Sequence, residues 1–157
     1  MHSSARDAKR QGELAELVFA ERAVRRGLQV SKPYGETAAY DFLVDCEGRI
    51  SRVQVRSVGV AKNGVYRVST GNGHSSKRAY TAREIDVLAA YVIPEDVWYL
   101  IPVRAFSPAK SVHLCPGRAS RRKFEVWRER WDVLERGEQL MTDPSDRAAP
   151  SGRRRRR

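Results

Sequence analysis

Cysteine and histidine are nearly missing from this chain, and the few that occur are scattered. Cys46 and Cys115 form no Cys-x-x-Cys pair, which argues against a disulfide framework or a structural zinc site and suits a reducing interior. His2, His74 and His113 have no partner at ligand spacing, so a histidine-built metal site is not expected either. Also lacking are an internal repeat, an apolar run long enough to span a bilayer, and a signal-like segment after Met1-His2-Ser3-Ser4-Ala5-Arg6. The expectation is a cytoplasmic protein with no membrane partner.

What the chain has in excess is positive charge. Its 157 residues carry 30 Lys and Arg against 19 Asp and Glu, a formal net charge of +11. Residues 141–157 hold six Arg and two Asp; without them 24 basic residues still face 17 acidic ones, about +7. A polyanion is therefore the expected partner, and nucleic acid is the usual one. With 41% hydrophobic residues the length suffices for one domain with a core, and not for two.

Periodicity organises residues 1–137 as that domain, followed by a disordered basic tail over 138–157 that ends in Arg153 to Arg157. Residues 7–26 read as a helix, capped by Ser4 or Asp7 and closed before Gly27. Its apolar stripe is expected along Leu14, Leu17, Val18, Val24 and Leu28, with Glu16, Phe19, Ala20 and Ala23 on a second face. Short strands near 28–32, 40–46, 50–57 and 64–69 should follow as a meander. Residues 69–83 read as a long polar loop, a kind of segment that in a small domain is usually functional. The apolar run Val87 to Ile93 fits a central strand covered on both faces, and Val97 to Val103 the strand after it. Phe124, Trp127, Trp131 and Leu134 recur at helical spacing, which predicts a helix over 121–136.

The chemistry concentrates on two of these segments. Along Val53-Gln54-Val55-Arg56-Ser57 the two-residue alternation of a strand sends Gln54 and Arg56 to one face and Val53 and Val55 to the other. The turn Cys46-Glu47-Gly48-Arg49 is short and contains glycine, so the run Tyr40-Asp41-Phe42-Leu43-Val44-Asp45 should lie beside it as an antiparallel hairpin. An acid, an amide and a cation then meet, as in a metal-dependent phosphodiesterase site. In the polar loop, Lys77, Arg78 and Arg83, with Tyr80 interleaved, suggest phosphate contacts and a stacking ring.

These segments resemble the PD-(D/E)xK nuclease superfamily, and within it the branch of small proteins related to intron-encoded homing endonucleases. Gly12-Glu13-Leu14-Ala15-Glu16 is similar to that branch's Gly-x-x-x-Glu helix opening, and Gly27-Leu28-Gln29-Val30 to the turn into its first strand. Tyr40-Asp41 and Val53-Gln54-Val55-Arg56-Ser57 resemble its Tyr-Asp and Val-Gln-Val-Lys-Thr segments, with Arg56 where the family has lysine. Ile85-Asp86 through Val97-Trp98-Tyr99-Leu100-Ile101-Pro102-Val103 resembles its last two strands.

The resemblance implies an α/β, restriction-endonuclease-like fold, a mixed sheet flanked by helices. It also implies a DNA endonuclease using Mg²⁺ or Mn²⁺, cutting double-stranded DNA at specific sites as a homodimer or higher homo-oligomer. Asp41, Gln54, the Val55 carbonyl and Glu16 would hold the metal, with Arg56 as the cation facing the phosphate. Glu21 competes with Glu16 on the residues alone, and only the resemblance favours Glu16; Asp86 is a further candidate carboxylate. Arginine cannot act as a base. A nuclease fold that binds DNA without cutting it, and a resolvase recognising DNA junctions by shape, therefore stay open as alternatives.

Overall fold

The first helix stops where glycine lets the chain turn: Gly27 adopts a left-handed φ of 78° just past it. The computed structural model describes residues 3–35, 37–72, 78–117 and 122–136. In chain order these form α1 (Ser3–Arg25), β1 (Gln29–Ser31), β2 (Phe42–Cys46), β3 (Arg49–Val58), β4 (Tyr66–Ser69), β5 (Gly71–Asn72), β6 (Arg78–Ala79), β7 (Val87–Val92), β8 (Val97–Pro102), α2 (Val103–Phe106), β9 (Ser111–Leu114) and α3 (Asp132–Arg136). The polar tail expected over 138–157 lies outside the described residues.

Five strands make a mixed sheet in the order β1-β2-β3-β7-β8, in which β3 and β7 run parallel and the other neighbours antiparallel. Every residue of β7 is buried, which explains its unbroken apolar run. Side-chain alternation divides the core in two. Val53, Val55, Val87, Ala89, Trp98 and Leu100 join α1 and α3 on one face. Leu88, Ala90, Val92, Tyr99 and Ile101 meet Tyr66, Val68, Tyr80, Phe106 and Leu114 on the other.

Three expectations change here. The helix packs through Ala15, Phe19 and Ala23, whereas Leu14, Leu17 and Val24 are exposed. The reason is volume: the sheet and α3 side already supply Phe42, Trp98 and Trp131, whose rings lie 5.3 to 5.6 Å from that of Phe19, so small alanines must flank it. The meander ends at β3, because β4 pairs with β9 in a separate two-stranded sheet. Finally, 121–136 is not one helix. Its aromatics serve opposite faces, Phe124 in one cluster and Trp131 in the other, with the chain crossing the β8 edge between them. There Arg128 bridges Tyr99, and Glu129 exchanges bonds with Trp98 through its backbone N–H (2.8 Å) and its Oε1 (2.7 Å). That strap satisfies an otherwise unpaired strand edge.

Candidate active site

The hairpin that joins β2 to β3 turns at Glu47 and Gly48, both with positive φ. Its ladder runs from Cys46↔Arg49 to Phe42↔Val53 and ends there, because the chain bends away at Asp41. The backbone of Val55, two residues further on, is met by side chains instead. Its N–H donates to Asp41 Oδ2 at 2.8 Å, and its carbonyl accepts from Gln54 Nε2 at 3.2 Å. Gln54 Nε2 also donates to Asp41 Oδ2 at 2.6 Å. Gln54, on the strand face opposite Val53 and Val55, is only 5% exposed.

The electrostatics of this corner are uneven. Burial pushes the Asp41 carboxyl above the ordinary aspartate value; the Val55 N–H works against the rise, Glu16 adds to it, and Arg56 and Lys32 reduce it. Every hydrogen bond to Asp41 described here thus comes from a neutral donor. Arg56, half-buried on the same strand face as Gln54, donates from Nη2 to Tyr80 Oη at 2.8 Å. Glu16 reaches the corner from α1 and accepts from Lys32 Nζ at 2.5 Å. Glu21 instead pairs with Arg25 and Arg22 along the helix surface. Of the two candidates, Glu16 is the one whose charge Asp41 feels.

Other candidates are placed differently. The Tyr80 ring is 2% exposed and packs in the core, so it cannot stack on a nucleotide as expected. Arg78 is held by Glu84 through two bonds of 2.9 and 2.7 Å, while Arg83 is exposed. Lys77 lies outside the described residues. Asp86 accepts from Arg52 N, Nε and Nη2 at 2.8 to 3.0 Å, which leaves it little capacity as an extra ligand. Two further residues, Lys32 and Arg52, shape the site without standing out in the sequence. Lys32 could have been noticed as the cation closing the first short strand, and Arg52 as the third polar residue in the Arg52/Gln54/Arg56 alternation.

The PD-(D/E)XK endonuclease family matches residues 6–134 of this sequence. The chain belongs to that family. Among solved structures, the bacterial homing endonuclease I-Ssp6803I is 29% identical, with a TM-score of 0.71 over 82% of this chain and 93% of its own. Comparison with curated proteins finds no match.

PD-(D/E)XK nucleases usually use divalent metals. Among the described residues no three His, Cys, Asp or Glu side chains gather as ligands. Hard cations, however, take amide and backbone oxygens as well as carboxylates. Asp41 Oδ2 and the Val55 carbonyl already converge on one atom of the Gln54 amide, and a half-turn of that amide would present Oε1 to the same corner. The donor chemistry therefore fits such an ion, and the raised Asp41 carboxyl marks a negative charge that a cation would offset.

Proposed function

We propose that this member of the PD-(D/E)XK endonucleases is a Mg²⁺- or Mn²⁺-dependent DNA endonuclease that cuts both strands at a specific site. The observation that carries the reading is the convergence of Asp41 Oδ2 and the Val55 carbonyl on the Gln54 amide. Asp41, Gln54 and Val55 would hold the ion, with Glu16 completing the charge from α1. A divalent ion held by these residues would supply an activated water and charge neutralisation at the phosphate. Arg56 supplies a fixed cation for the phosphate and, because arginine stays protonated, no base. Lys32 keeps Glu16 neutralised until a cation arrives. The net charge of +11 draws the polyanion. Likeness to the homing endonuclease I-Ssp6803I supports cleavage at a specific site. Cutting two strands of opposite polarity calls for two such corners, hence a homodimer or higher homo-oligomer.

Supercoiled plasmid incubated with Mg²⁺ or Mn²⁺, and with EDTA as control, tests the reading. Linear product that depends on the ion is expected. A second reading, a DNA-binding module that does not cut, is favoured by one observation, the arginine at position 56 where the family's lysine was expected. Plasmid retention in a binding assay with no nicking under either ion would establish that alternative.

A further inference from the structure

Arg56 differs from a lysine in needing to be aimed. Its planar fork can be satisfied in several directions, and a guanidinium that swings does not present a fixed charge. One neighbour fixes it. Tyr80 accepts from Arg56 Nη2 at 2.8 Å, and the guanidinium carbon lies 5.9 Å from the centre of its ring.

Tyr80 is itself held with unusual thoroughness for a residue next to a turn. Thr81, Ala82 and Arg83 directly after it are exposed, yet its ring is 2% exposed. Its N–H donates to the Thr70 carbonyl at 3.1 Å, and Thr70 is buried in turn. The turn beyond is tied to β3 by Arg52, which donates to the carbonyls of Ala82 (2.7 Å) and Arg83 and to Asp86. A phenol hydroxyl has one hydrogen and two acceptor sites. Accepting from Arg56 leaves that hydrogen free to donate toward the same corner, where the Asp41 charge acts on the phenol.

We infer that Tyr80 is a positioning residue for Arg56. Its hydroxyl orients the guanidinium toward the Asp41 corner, so that the charge is presented there in one direction. The inference rests on the endonuclease reading for its catalytic consequence, but the orienting contact itself can be measured without cleavage.

The substitution Tyr80→Phe removes only the hydroxyl and keeps the buried ring. With supercoiled plasmid and Mg²⁺ or Mn²⁺, single-turnover cleavage should slow about tenfold, while plasmid affinity and melting temperature stay as in wild type. In an Arg56→Ala background the same change should alter the rate by less than about twofold, since nothing remains to be aimed. Equal slowing in both backgrounds, or none in wild type, would overturn the inference. If wild type does not cut plasmid at all, the endonuclease reading fails, and NMR of the arginine side chains decides the contact separately. Restricted rotation of the Arg56 Nη groups that is released in Tyr80→Phe supports the inference, and unchanged rotation refutes it.

Discussion

Two aspartates flank β3 at mirror-like positions, and they have opposite fates. Asp41 ends the approach to β2, and Asp86 precedes β7; each carboxylate reaches across to a backbone N–H of β3, Val55 in one case and Arg52 in the other. At Asp86 the same residue also contributes its guanidinium. Burial alone would raise that carboxyl, but the side-chain and backbone bonds from Arg52, together with its charge, hold it below the ordinary value. At Asp41 the second donor is an amide, and burial wins. A carboxylate neutralised by its own scaffold is a structural pin, whereas one left with neutral donors in a half-buried corner keeps an uncompensated charge, as the proposed ion site requires.

The sharpest way to break this contrast is to replace each aspartate by its amide. Asp41→Asn should lower ion-dependent plasmid cleavage by at least about 100-fold, the scale of removing one electrostatic stabiliser. Affinity for DNA should hold or tighten as repulsion toward phosphate falls. Folding raises this carboxyl, so its ionised form opposes the fold; the opposition is absent below the ordinary value and sets in as pH rises through the raised one. Melting at neutral pH should accordingly be unchanged or higher in the variant. A variant that cleaves at the wild-type rate would remove Asp41 from the site.

Asp86→Asn should do the reverse, leaving the rate per folded molecule near wild type and costing about 1–2 kcal/mol of stability, because the pair is partly exposed. Since folding lowers this carboxyl, its contribution is present above the ordinary aspartate value and is lost as pH falls through the lower one. Denaturant titrations at neutral and acid pH should therefore show the gap between wild type and variant closing on acidification. A gap independent of pH would place the loss elsewhere.

The smallest effect separates the two loop arginines. Each phosphate neutralised contributes about one unit to the slope of log affinity against log salt. Arg83→Ala should reduce the slope by about that much, and Arg78→Ala by clearly less, because Glu84 already holds Arg78. Equal reductions in a salt titration would mean that DNA displaces Glu84.

What could be read from the sequence was whatever a short stretch of chain decides by itself. The two-residue alternation around Gln54 and Arg56, the turn at Glu47-Gly48 and the unbroken apolar run of β7 are local signals, and the structure keeps them. The partner of β4 is not local: it lies more than forty residues away in β9, and no turn or period in β4 names it. The aromatic spacing over Phe124, Trp127 and Trp131 misled because turns crossing a sheet edge can imitate a helical period. Leu14, Leu17 and Val24 misled because hydrophobicity alone does not reveal which helix face the neighbouring rings have room for. Tyr80 looked available for stacking because its neighbours are polar, and only the tertiary fold turns its ring inward.

The 28 residues between Val58 and Val87 form the crossover that the parallel pair β3–β7 requires. They hold Lys62, Arg67, Arg78 and Arg83, while Asp41, Gln54 and Val55 sit outside on the hairpin. Changes in the length of such a connection cost little in chain entropy. The crossover can therefore change length on its outer surface at little cost, while Tyr66, Val68 and Tyr80 within it stay anchored in the core. The tie between Tyr80 and Arg56 is a tether that any exchange of this segment would have to carry along.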